Sequence, residues 1–285
     1  IYTGEDTLSL HDALPIYDDT VKYPPKPNAY YQPLKGASFE EAQGMLRAMG
    51  FSRGVIVHAM PYDTDHSLLI DTLESLGEEG RKNIRATAII KDNVTDSTLD
   101  RLNSLGVRGA RFNVGKRYAE TTPLASVKKS MDRAREIGWH AKLHITGEDV
   151  LEFADFLTGV KNLPLVIDHM AHLHLEEGLH QPACRWIVDR LKNDENWWMM
   201  MSNGNRDSVM ETGFDDAVPF GRTFLQSAPD RMVWGTDWPH VRWRKKRMMN
   251  DAETVELLYR YADQDAELIR KVLVDNPARL YGFSE

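Results

Sequence analysis

From Ser38 onward, short apolar runs rich in β-branched residues alternate with longer segments whose apolar positions recur at helical spacing. Ser38 and Glu41 make a capping box and Gly50 closes the segment, so the spacing predicts a helix over 39–49. GVIVHAM (54–60), bounded by turn residues, predicts a buried strand. The alternation then continues. Helices are expected near 66–76, 96–105, 123–137, 146–157, 182–193 and 216–227, and strands over 86–90, 107–113, 139–145, 164–169, 197–202 and 231–237. Thr122 and Thr146 read as helix caps, with Pro123 at a first helical position. The remainder is helical and ends in DNPARLYGF, with Asn276 as a cap and Pro277 at the first helical position.

Seven strands, each followed by a helix, imply parallel βαβ units. No glycine-rich phosphate turn follows the first of them, which argues against a doubly wound dinucleotide-binding sheet. The expected fold is α/β, a (β/α)8 TIM-type barrel lacking its native first strand. That strand should precede Ser38. Residues 1–16 there read IYTGEDTLSLHDALPI, and LSLHDALPI resembles the translation of a sequencing adapter. They are expected to be a non-native, adapter-derived segment, with residues 17–285 forming the barrel. Residues 17–36 read as an extended, Pro-rich stretch.

The 285 residues suffice for a sizeable core, and the net charge of −8 on a mixed surface argues against nucleic-acid or anionic-membrane partners. The lone Cys184 excludes an internal disulfide and suits a reducing cytoplasm, the expected location. No apolar run approaches the ~18 residues of a membrane span.

In a (β/α)8 barrel, chemistry sits at the C-terminal ends of the strands. Those ends carry His58, Arg111 with Asn113, His144, Asp168-His169, Ser202 to Asn205, and Asp237 to His240. Side chains at the ends carrying His144, His169 and Asp237 can converge above the barrel. Imidazole and carboxylate suit a divalent metal such as Zn or Mn. A carboxylate also suits a general base, and an imidazole can polarise a carbonyl. Arg111, Arg117 and Arg206 point to a small di- or tricarboxylate substrate, because guanidinium binds carboxylate bidentately. Tyr30 and Tyr31 can fold over the mouth or pack in the core. RWRKKR (242–247) reads as a solvated loop, with attraction of anions to the mouth as the alternative. His172, His174 and His180 show no ligand spacing, and WWMMM (197–201) reads as core.

GVIVHAM, GVRGARFN followed by KR, VIDHM, VWGTDWPH and VLVDNPARLY together resemble the amidohydrolase superfamily, over about Tyr31 to Phe283. The likeness is greatest to its branch of 2-pyrone-4,6-dicarboxylate lactonases, and less to sulfomuconolactone and sugar-lactone enzymes. The resemblance implies opening of a carboxylate-bearing lactone in catabolism of aromatic compounds. Asp237 would activate water, and His169 would lie by the scissile carbonyl. Arg111, Arg117, Arg206, Tyr31 and His240 would contact substrate. Those lactonases work without a metal, whereas most of the superfamily needs one, so none or one divalent ion is expected. Three departures stand out. The His-x-His strand is absent, and His11 is not counted as a ligand. His144 holds a position used by metal ligands in metal-dependent relatives, through His144, His169 and Asp237. Met60 stands where a small hydroxyl residue is expected. The alternatives are a metal-dependent decarboxylase of an aromatic or muconate-type acid, or an inactive truncated barrel.

Overall fold

The computed structural model describes residues 11–14, 16–17, 19–33, 37–115 and 123–283. Eight parallel strands follow one another in chain order: β1 His11–Leu14, β2 Gly54–Val57, β3 Ile84–Ile89, β4 Val107–Asn113, β5 His140–His144, β6 Leu165–Ile167, β7 Trp197–Met201 and β8 Met232–Trp234. β1 pairs with β2 and also lies against β8, bringing the first and last strands together. Four residues of the segment set aside above therefore occupy the place of the first strand. Ile16 and Tyr17, which follow, are buried in the main core.

The predicted elements appear with small shifts. Ser38 makes the capping box of Phe39–Ala48, and Thr146 makes one with Asp149 for Gly147–Glu152. The helix opened by Thr146 breaks at Phe153 and resumes over Ala154–Gly159. Pro123 is the cap of Leu124–Glu136 rather than its first residue, and Thr122 lies outside the described residues. Asn276 does not cap: it is the first residue of Asn276–Tyr281. Its buried amide donates to the carbonyls of Pro229 and Met232, tying the C-terminal helix to the start of β8.

Period-two alternation separates two cores. Val57, Val166, Trp198, Met200 and Val233 form one cluster, while Trp197, Met199 and Met201 belong to the large cluster shared with the helices. WWMMM is thus core throughout. Arg111 pairs in register with Lys142 and Asn113 with His144, so these four side chains share one face of β4 and β5. Lys142 is fully buried and makes a 2.8 Å ion pair with Asp168.

Candidate active site

The strand ends open into a cavity of about 190 Å³ lined by Arg111, His144, His169, Arg206, Asp237, Tyr30 and Tyr31, among others. Six of the expected site residues thus meet at one place, with Tyr30 beside them. Arg117 lies outside the described residues. His240 does not line the cavity: it is buried, with Nε2 2.9 Å from the Asp251 carboxylate. That contact anchors the loop after β8. His58, also at a strand end, is consumed by structure, bonding the carbonyl of Asp65 and accepting from the Ile89 amide.

Asp237 follows β8 with φ of 64°. Asn203 Nδ2 donates to its Oδ2 at 3.0 Å, and Arg206 Nη2 donates to the same oxygen at 3.2 Å. Oδ1 lies 3.9 Å from His169 Nε2. Burial works to raise the carboxyl, but the neighbouring His169 ring, the Arg206 guanidinium and the Asn203 amide outweigh it and hold the group below its ordinary range. Burial pushes the His169 ring well below its usual value, against the pull of Asp237, so the ring is neutral at pH 7. Its Nδ1 sits 2.7 Å from Ser202 Oγ. If Ser202 donates there, Nε2 carries the ring proton.

Arg206 Nη1 also donates to the Val241 carbonyl, at 2.8 Å. It acts here as a brace between Asp237 and the loop after β8. Arg111, 7% exposed, donates to His144 Nδ1 at 2.9 Å, which makes His144 Nε2 an N–H donor. Tyr31 accepts a hydrogen bond from the buried Tyr17 hydroxyl, a residue the sequence reading did not single out.

His172 and Asp207 also line the cavity. The His172 ring bonds the Asp207 carboxylate through Nδ1, at 3.1 Å. The expected metal set was His144, His169 and Asp237, but the nitrogens gathered within 4.8 Å of one another are those of His144, His169 and His172. These three imidazoles could hold one divalent ion, Zn or Mn, and the Asp207 contact is the outer support such a ligand needs. His144 would first have to release Arg111 from Nδ1. The signal for His172 was available only through backbone conformation. His169 to His172 all have positive φ, a left-handed turn that returns residue 172 to the side of residue 169.

RWRKKR is a largely exposed loop, with Arg242, Arg244, Lys246 and Arg247 open to solvent, and its first part also faces the cavity. Val241 to Lys245 form part of the cavity wall.

An eight-stranded parallel α/β sheet with convergent His, Asp and Arg side chains at its C-terminal edge defines a hydrolase-type barrel. The chain belongs to the amidohydrolase family, whose model matches residues 10–283. It is 32% identical to a 2-pyrone-4,6-dicarboxylate hydrolase of Comamonas testosteroni, over 91% of this chain and 85% of that protein. It is also 32% identical to a 4-sulfomuconolactone hydrolase of Hydrogenophaga intermedia, over 94% of this chain and 86% of the relative. A Pseudomonas putida structure assigned as a 2-pyrone-4,6-dicarboxylic acid hydrolase superposes with a TM-score of 0.82, at 25% identity, covering 97% of this chain and 98% of the other.

Proposed function

We propose that the protein hydrolyses a lactone bearing carboxylates, of the kind named for these relatives. The observation that carries the mechanism is the anchoring of Asp237. Asn203 and Arg206 both hold Oδ2, which leaves Oδ1 as the basic atom beside His169 Nε2. An ionised Oδ1 removes a proton from water, and that water attacks the ring carbonyl. His169 Nε2–H stabilises the developing oxyanion, with Ser202 fixing the ring tautomer. Arg111 attracts a substrate carboxylate, and Tyr30 and Tyr31 close over the ring.

Asp237→Asn keeps the shape and removes the base. We expect kcat on 2-pyrone-4,6-dicarboxylate to fall by at least ~10²-fold with KM little changed. Near-normal steady-state turnover by this variant would sink the role of Asp237.

The three-imidazole cluster favours a second reading, metal-dependent decarboxylation of an aromatic or muconate-type acid. An ion held there would polarise a bound oxygen and lower the barrier to attack or bond cleavage. Stoichiometric metal, with activity lost on chelation and restored by Zn or Mn, selects that reading. Lactone turnover indifferent to chelators rejects it.

A further inference from the structure

The cavity is markedly cationic: Arg111, Arg206, Arg242, Arg244 and Lys245 line it against only Asp207 and Asp237. Two of these cations lie against the groups proposed for the chemistry. Arg206 braces Asp237 and the Val241 carbonyl, and Arg111 donates to His144. Arg111 can take one substrate carboxylate, and a second anionic group meets the cations of the loop after β8.

That loop is fixed at several points. Its base is held by His240 against Asp251, and the Trp243 amide donates back to the His240 carbonyl. Arg206 grips Val241, and Lys245 Nζ reaches the carbonyls of Ser208 and Met210, at 2.5 and 2.8 Å. Arg242 has φ of 59°, a left-handed conformation unusual for a side chain of its size, and such strain persists where surroundings impose it. Its guanidinium lies 4.2 Å from the centre of the Tyr30 ring, across the mouth. Arg242 and Arg244 are both exposed, and neither has a carboxylate partner among the described residues.

We infer that Arg242 and Arg244 form a second anion subsite, which binds a carboxylate or sulfonate on the substrate remote from the scissile carbonyl. The inference rests on the hydrolase reading for its substrate class, and it assigns this loop the selection of polyanionic over monoanionic lactones. Arg–anion pairs at a partly desolvated mouth act on binding more than on the chemical step, so the loop should govern KM.

The test measures calorimetric binding of citrate and of sulfosuccinate to the wild type and to the double variant Arg242→Gln/Arg244→Gln. We expect the citrate Kd to rise at least tenfold, about 1.4 kcal/mol. On any lactone the wild type turns over, KM should rise similarly with kcat within about threefold. A control, Lys246→Gln/Arg247→Gln, makes the same charge change at residues that do not line the cavity. It should leave citrate binding within about twofold. Equal weakening in the control, or unchanged citrate binding in the subsite variant, overturns the proposal, as does failure of the wild type to bind either ligand. The tighter of the two ligands identifies the preferred anion as carboxylate or sulfonate. Binding needs no turnover, so a wild type that binds citrate through this loop but opens no lactone would remove the hydrolase reading and leave the subsite.

Discussion

At His169, Met170, Ala171 and His172 the backbone takes φ values of 55°, 48°, 58° and 46°. Left-handed conformations cost roughly 1–2 kcal/mol per non-glycine residue, so this turn must be held by its contacts. His169 is pinned to Ser202, His172 to Asp207, and Asp168 just before them to Lys142. The last pair is the deepest, with both side chains essentially inaccessible. Removing one partner leaves an uncompensated buried charge, at a cost of about 3–5 kcal/mol. Lys142→Met should therefore lower the unfolding free energy read from a urea titration by that much. The double replacement Lys142→Met/Asp168→Leu should recover most of the loss. A single variant as stable as the wild type would show that the pair does not hold the turn.

Among elements, the β4–β5 pairing shows how register places chemistry. Gly109 pairs with His140, and two residues further along each strand Arg111 pairs with Lys142. The His140 ring lies over Gly109: a Cβ built there would stand 2.3 Å from Nε2. On its other side, Tyr281 packs edge-on with ring centroids 5.0 Å apart. The ring has nowhere to retreat. Gly109→Ala should cost about 2–3 kcal/mol through overpacking, seen as a lowered thermal midpoint. It should also depress activity by shifting Arg111, which lies two residues along the same strand. An unaltered melting curve would mean that β4 and β5 can part without loss.

Across the whole molecule, buried imidazoles couple stability to pH. Burial pushes both His58 and His140 down to about 3 from an ordinary 6.5. Between those values the unfolded chain takes up protons that the folded chain does not. Stability is therefore complete above pH 6.5 and is lost as pH falls, by about 1.4 kcal/mol per pH unit for each group. His169 acts in the same direction. Denaturant titrations at pH 7 and pH 5 should show several kcal/mol of loss at the lower pH. A flat profile would contradict the neutral, buried state of these rings. Asp237, held below its ordinary carboxylate range, stays ionised at pH 5, so its protonation should not limit kcat down to that pH.

The sequence by itself determined the alternation of strands and helices, because period-two and helical apolar patterns are local and each strand buries both faces. The Ser38 and Thr146 caps were legible for the same reason: their partners lie three residues away. Strand ends located His144, His169, Arg111 and Asp237, since topology alone carries them to one rim. Tertiary structure decided the partners. Arg206 turned to Asp237, 31 residues on, and His172 to Asp207, 35 residues on. Asn276, read as a cap, instead ties the last helix to Pro229 and Met232. The first part of RWRKKR, Arg242 to Lys245, became a cavity wall because Lys245 reaches the carbonyls of Ser208 and Met210 while His240 just before it is held by Asp251. No local period encodes such choices, for they depend on which distant polar groups are left to satisfy once the barrel has formed.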